Sequence, residues 1–283
     1  MRRALRAGRS RGLIELRQSV TNAGDLFNHF FWPVLMLVAL WFLRGHTFAG
    51  FPLGPLLVPS ILGMNAAMAM VSMSQHLTAD REDGTLLRAR ATPWGVPGYL
   101  TGKLISVSGG LLLDLAIFLI PALFLVGGLP AAVGPAAAGP AAWLGLVALL
   151  ALGLLATLPA GAVLGSVVTS TRGQGVLTLP ILAVIAISGI FYPITALPGW
   201  VQGVAQAFPV YWMGLGMRSA MLPAGAAAVE IGHSWRHVET VAVLAAWAVA
   251  GLLVAPIVLR RTARREAGSA LASRRERAMQ RAH

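Results

Sequence analysis

Six apolar segments, each long enough to cross a bilayer once, limit what this chain can fold into. A hydrocarbon layer of about 30 Å takes about 20 residues of helix. Because only 11% of the residues are charged, the sequence predicts an all-α integral membrane protein with six transmembrane helices. The predicted spans are Leu26–Leu43, Pro55–Leu77, Lys103–Gly127, Trp143–Val168, Val176–Ala196 and Val238–Leu259.

Prolines interrupt all six segments. In lipid, neighbouring helices can satisfy the carbonyls that a proline leaves free, so these residues predict kinks rather than helix ends. They are Pro33, Pro59, Pro121, Pro159, Pro180 and Pro256.

The basic residues fall on one side of this pattern. With the N-terminus inside, the inner segments hold six before the first span, four from Arg81 to Lys103, one at Arg172 and eight after Leu259. Only three of the 22 then lie outside, namely Arg44, Arg218 and Arg236. This asymmetry predicts that both termini are cytoplasmic, and it accounts for the net charge of +12. We therefore expect anionic membrane lipids, and no nucleic acid, as the basic residues' partners.

The sequence indicates a single transmembrane domain over residues 1–283. Residues 1–25 form a cytoplasmic or interfacial N-terminus, residues 26–259 the six-span core and residues 260–283 a basic cytoplasmic tail. Leu13, Leu16 and Val20 have helical spacing, which predicts a short interfacial helix in the inner headgroup layer; a solvated basic tail is the alternative. The first apolar segment lacks a small-residue cleavage pattern, so we expect it to be retained.

Two outer segments are read differently. Pro130–Ala142 is an uncharged Pro/Gly/Ala connector that predicts a plain outer loop. Pro193–His237 has apolar residues at helical spacing but is too short to span, which predicts short outer re-entrant helices before the sixth span. Trp200, Tyr211 and Trp212 are expected in the outer aromatic belt.

The inner loop after the second span concentrates charge in an otherwise apolar chain. Gly84 suits the left-handed conformation that ends a helix, Thr85 is placed to cap the next helix, and Pro93 stops it. This predicts a short, separately oriented cytoplasmic helix. Leu86 and Leu87 are expected to offer a partner an apolar face. Charge contacts would fix the register, through Glu82, Arg88 and Arg90. A solvated turn with helix caps is the alternative.

Polar residues inside the spans are candidates for a substrate path. Asp114 is an acid deep in the third span, where a carboxylate is expensive. A hydrogen-bonded or protonated structural acid is favoured over a proton relay, since no intramembrane Lys or Arg is available to pair with it. The further path candidates are Asn65, Ser72, Thr178, Phe191 and Tyr192. Gly161-Ala162-x-x-Gly165 is typical of helix packing.

The sequence contains no motif for binding or hydrolysing ATP. Three residues separate Gly98 from Gly102, and Leu104 follows Lys103, whereas a phosphate-binding loop needs four residues and then Ser or Thr after the Lys. No paired acids or His cluster in the spans predict an enzyme, and no cysteine or His pair predicts a metal site. No directly bound cofactor is expected.

Three motifs resemble the ABC-2 type permeases of ATP-binding-cassette transporters, particularly the daunorubicin-resistance-like drug exporters. They are the loop from Asp80 to Pro93, the Tyr99-Leu100-x-Gly102-Lys103 entry to the third span, and Ser188–Ile194 with Leu197-Pro198-x-Trp200 and Phe208-Pro209. Leu87 and Arg90 depart from the family's usual acid and apolar residue, which makes the loop more basic.

The resemblance implies a cytoplasmic coupling helix after span two that contacts separate ABC ATPase subunits, on which ATP is hydrolysed. It implies that Arg81, Glu82, Gly84, Thr85, Leu86, Leu87, Arg88, Arg90, Thr92 and Pro93 form the coupling site. It also implies a second permease in a homodimer or heterodimer, and export of a hydrophobic drug-like or lipid-linked substrate across a bacterial inner membrane. A proton-coupled secondary transporter using Asp114 is the alternative, although no convincing internal repeat supports it.

Overall fold

A computed structural model describes residues 2–48, 51–91, 95–126, 140–168 and 173–281. These residues are almost wholly helical, which confirms an all-α integral membrane protein. The helices are α1 (Arg2–Thr21), α2 (Ala23–Leu43), α3 (Leu53–Glu82), α4 (Thr85–Arg90), α5 (Gly95–Leu125), α6 (Pro140–Val167), α7 (Gln174–Ile187), α8 (Gly199–Ala207), α9 (Pro209–Met221) and α10 (His237–Arg281). A two-residue antiparallel pair, β1 (Thr47–Phe48) and β2 (Phe51–Pro52), joins α2 to α3.

Five helices in the described ranges are long and apolar enough to cross a membrane. They correspond to the first four predicted spans and the sixth: Ala23–Leu43, Leu53–Glu82, Gly95–Leu125, Trp143–Val167 and His237–Thr262. The fifth predicted span, Val176–Ala196, corresponds to α7, which ends at Ile187. Its 14 residues rise about 21 Å, less than the hydrocarbon thickness. The count of six spans therefore stays a prediction.

Several helices extend beyond their apolar segments. α5 begins at Gly95 rather than Lys103, and α3 continues to Glu82 rather than Leu77. Helical hydrogen bonding continues past the end of an apolar stretch, so hydropathy alone underestimates length. All six prolines lie inside helices, which confirms the prediction that they are not helix ends.

α3 is the centre of the bundle and packs against α5, α6, α7 and α9. Its crossing with α6 depends on small residues. A Cβ at Gly161 would lie 2.3 Å from the Met70 carbonyl oxygen, and one at Gly165 would lie 2.7 Å from the Ser74 carbonyl oxygen. The predicted packing role of these glycines is confirmed, because only hydrogen in place of a side chain permits such an approach.

The N-terminal segment is helical, as predicted, but its helix α1 is longer than expected and packs on the bundle. It is 20 residues long and packs along the first half of α5 through glycine. Cβ atoms at Gly8 and Gly12 would each lie 2.5 Å from a carbonyl oxygen of α5, those of Gly98 and Gly102. Leu13 is 48% exposed, and the side of α1 that packs on α5 is a glycine seam; the interfacial placement of Leu13, Leu16 and Val20 stays a prediction. The glycines allow the two backbones into contact, which no leucine does.

The segment before α10 forms α8 and α9, so the helices predicted from the amphipathic pattern are present; their place at the outer leaflet stays a prediction. α9 lies deep in the bundle against α3, α6 and α10, with Gly63 and Gly214 meeting at the α3 crossing. Tyr211 and Trp212 on α9 are 0% and 3% exposed, so their predicted place in the aromatic belt is wrong. They are core residues: the Trp212 ring packs edge to face on Tyr211 and donates its N–H to the Gln206 carbonyl at 2.7 Å.

A buried ion pair fixes the C-terminal end of α9. The Arg218 Nε donates to the Glu230 carboxylate at 2.7 Å, and both side chains are almost fully buried. The Arg218 Nη1 also donates to the Gly189 carbonyl at 3.0 Å, just beyond the end of α7. One guanidinium therefore ties α9, the α9–α10 connection and the α7 terminus together.

The predicted connector Pro130–Ala142 lies outside the described residues as far as residue 139.

Candidate functional site

The short helix predicted after the second span is present as α4, and the turn before it has the expected glycine. Gly84 has φ 75° and ψ 10°, the left-handed conformation that glycine adopts without strain. The cap differs from the prediction. The side chain that caps α4 is the Asp83 carboxylate, and not the Thr85 hydroxyl. It accepts a hydrogen bond from the Thr85 backbone N–H at 2.8 Å. The Thr85 hydroxyl instead accepts a hydrogen bond from Arg88 at 2.9 Å.

The charge on Asp83 is stabilised by this turn. Burial raises the pKa of the Asp83 carboxyl, but hydrogen bonds from the Thr85 hydroxyl and N–H, with the charge of Arg88, outweigh burial. The net result is an Asp83 pKa below its ordinary value, so the carboxylate is fully ionised at neutral pH.

α4 is amphipathic, but its apolar face is turned toward its own chain. Leu86 is 0% exposed and packs with Ala89 in a core cluster that includes Met73 and Leu77 of α3. The prediction that Leu86 faces a partner is therefore wrong. Its burial attaches α4 to the membrane helices, while Leu87 is half-buried.

The charged coupling candidates divide into two groups. Glu82 and Arg88 are exposed to solvent. Arg81 instead contacts its own chain, donating from Nη1 to the Ser166 carbonyl at 2.9 Å and the Val168 carbonyl at 2.6 Å. These are carbonyls at the C-terminal end of α6, where a cation is favoured by the helix dipole. Two candidates, Thr92 and Pro93, and the side chain of Arg90 lie outside the described residues.

An ionic network beside α4 was missed by sequence reasoning. Lys103 Nζ on α5 lies 2.9 Å from Asp80 of α3 and 3.0 Å from Glu15 of α1, and Lys103 is 7% exposed. Burial raises the pKa of the Glu15 carboxyl, but hydrogen bonds and charges from Arg11 and Lys103 hold its pKa below the ordinary value. The available signal was the unusual position of a lysine at the start of a predicted span.

The intramembrane acid Asp114 has a partner. Its Oδ1 lies 2.5 Å from the Nδ1 of His29 on α2, and the Nε2 of that ring lies 3.1 Å from the Ser19 hydroxyl of α1. The preference for a hydrogen-bonded structural acid agrees with this geometry. Sequence reasoning looked only for Lys or Arg and so missed His29, which lies in the first span.

The predicted path residues fall in two places. Asn65 and Ser72 lie two turns apart on one side of α3, which continues through the exposed Gln75 and His76. Thr178 lies on the adjacent α7, and Phe191 and Tyr192 follow its end. Asp114, by contrast, lies on the side of α5 that faces α1 and α2, where it is hydrogen-bonded to His29. The structure therefore groups the α3 and α7 candidates apart from Asp114, and their role in a path stays a prediction.

The fold is a bundle of long apolar helices with a short capped helix after the second span, which defines a multi-pass membrane domain. The family model for ABC-2 type transporters matches residues 10–222, about three quarters of the 283 residues, and the chain belongs to this family. No curated protein matches the chain. The protein is accordingly a multi-pass membrane protein and an ABC-type permease component.

Proposed function

We propose that this chain is the permease subunit of an ATP-driven exporter in a bacterial inner membrane, with both termini in the cytoplasm. It works with a second permease, a copy or a relative, and with two separate ATPase subunits that hydrolyse ATP. The observation that carries the proposal is α4, a short helix anchored to the bundle on one face and charged on the other.

The anchoring of α4 supports its use as a lever. The buried Leu86 and Ala89 join α4 to α3, and α4 also contacts α5 and α10. Arg81, at the end of α3, is bonded to the end of α6. Force applied to the exposed Arg88 side of α4 is thus passed to four membrane helices, because close-packed interiors transmit displacement.

The open side of α3 supports a path between two permeases. On one side of this central span, the described residues leave Asn65 and Ser72 partly exposed and Gln75 and His76 exposed. Polar side chains in contact with lipid are costly, so they favour a protein partner or a water-filled passage. The other spans are strongly apolar, which favours a hydrophobic drug-like or lipid-linked cargo.

The test is co-expression of this chain with an ABC ATPase encoded beside it. We expect the two to copurify, and we expect vanadate-sensitive efflux of at least one of a panel of lipophilic fluorescent dyes. Arg88→Glu should reduce copurification, since a rim charge at an interface sets encounter and register. The matched control is Arg264→Glu, the same charge reversal at an exposed residue of α10.

Two results would count against the proposal. The first is equal copurification of the Arg88→Glu and wild-type chains. The second is reaction of a cysteine introduced at Arg88 with an impermeant maleimide in intact cells, which would place α4 outside; the wild-type chain has no cysteine to give background.

A further inference from the structure

A single buried lysine joins three helices beside the coupling helix. Lys103 of α5 is in ionic contact with Asp80, four residues before Gly84, and with Glu15 of α1. The Tyr99 hydroxyl donates to the same Asp80 oxygen that contacts Lys103, at 2.6 Å. Arg11 donates to Glu15 at 2.8 Å.

The four charged side chains of the network balance one another, two positive against two negative. Lys103 and Arg11 oppose Asp80 and Glu15, and the Arg11 guanidinium lies over the Tyr99 ring, 5.3 Å from its centroid. Buried charges are tolerated when they are paired and are costly when one partner leaves. A displacement of Asp80 that left α1 behind would strand a buried carboxylate or ammonium, so the three helices resist separation at this level.

α1 is held to α5 at two further points. Toward the N-terminus of α1, before Glu15, Gly8 and Gly12 bring the α1 backbone against α5. Toward the C-terminus of α1, after Glu15, the Ser19 hydroxyl contacts His29, whose other ring nitrogen contacts Asp114 of α5. α1 therefore has contacts along its length that couple it to α5 and to the start of α2.

We propose that α1 is a moving part of the coupling machinery, and that Lys103 is the positioning residue that makes α1, α5 and the base of α3 follow the coupling helix as one body. The inference rests on the proposed function, because the motion is supplied by an ATPase acting on α4. Its consequence is that the first span receives the input through α1 as well as through direct helix packing.

The lysine itself provides the first test, since it is the only lysine in the chain. The purified permease–ATPase complex is treated with an amine-reactive reagent, with and without ATP and vanadate, and the Lys103 peptide is quantified by mass spectrometry. We expect Lys103 to stay unreactive in both states, because the network moves intact. An Arg264→Lys variant adds an exposed lysine as an internal standard. Reaction of Lys103 on trapping would overturn the inference.

A fluorophore on Gln18→Cys, an exposed position of α1, provides the second test. We expect its emission to shift when ATP and vanadate trap the complex, and the shift to be lost in Asp80→Asn. The matched control is Asp25→Asn, which makes the same change at an exposed carboxylate outside the network and should leave the shift unchanged. No shift in the wild-type complex, or a full shift in Asp80→Asn, would refute a role for α1.

The outcomes separate this inference from the proposed function. If the wild-type chain does not bind the ATPase, the proposed function fails and the inference fails with it. If the complex forms and traps nucleotide but Lys103 becomes reactive, or the α1 fluorophore is silent, only the inference fails. Both tests have a wild-type arm, so a variant that does not fold leaves the inference testable.

Discussion

Replacing Gly161 by alanine should force the membrane helices α3 and α6 apart where their backbones touch. The added methyl carbon would lie 2.3 Å from the Met70 carbonyl oxygen and 2.9 Å from its Cα, whereas ordinary van der Waals contact begins at 3.4 Å. α3 and α6 must therefore move apart locally by about 1 Å. The obstacle is backbone, so no side-chain rotation can relieve it.

The expected loss follows from two opposing terms. Overpacking of a close-packed interior costs about 1–3 kcal/mol, and a clash with backbone belongs at the upper end of that range. Replacing glycine by alanine within a helix returns about 0.5–1 kcal/mol. We expect Gly161→Ala to destabilise the fold by about 2 kcal/mol.

A matched control lies on the same helix. Nothing lies within 4 Å of a Cβ built at Gly145, so Gly145→Ala should be stabilising by up to about 1 kcal/mol. The thermal midpoint of each variant is measured by size-exclusion chromatography after heating in mild detergent. The two midpoints should differ by about 6–12 °C, taking about 2–4 °C for each kcal/mol. A Gly161→Ala midpoint at or above that of Gly145→Ala would refute the packing argument.

Two further predictions concern charges. Glu230→Gln should destabilise the fold by about 3–5 kcal/mol, because Arg218 stays buried without its counter-charge. The double replacement Arg218→Met with Glu230→Leu should recover most of that loss. Equal thermal midpoints for the single and double variants would contradict this. Because the folded-state pKa of Glu15 is lowered below 4.5, its stabilisation is complete above that pH and lost as pH falls through the lower value. The difference in midpoint between wild type and Glu15→Gln should therefore shrink between pH 7 and pH 3.5, and a constant difference would rule out this linkage.

Local backbone chemistry was readable from the sequence. The turn at Gly84 follows from the need for a left-handed residue between two helices, and the structure has it. The direction of α4 was not readable, because six residues give too few turns for a periodic pattern to show which side is covered. Leu86 was consequently placed on the wrong face.

Contacts between distant parts of the chain were beyond a single sequence. His29 meets Asp114 and Glu15 meets Lys103 only because α1 and α2 run beside α5, and no local pattern records that neighbourhood. Aromatic residues raised a similar difficulty, since Trp212 has the same hydropathy in a lipid-facing belt as in a core. Burial depends on which helix packs over it, and that is a property of the assembled bundle.

The early end of α7 explains why a charged pair is buried beside its last turn. Because the backbone leaves the helix before Gly189, the Gly189 carbonyl has no partner within the helix. In a surface loop water would bond to such a carbonyl; here Arg218 donates to it instead. Glu230 then neutralises the cation that this substitution brings inside. The break in the helix and the ion pair thus form one solvation unit, and a sequence that shed the pair would have to continue α7 as helix through Gly189.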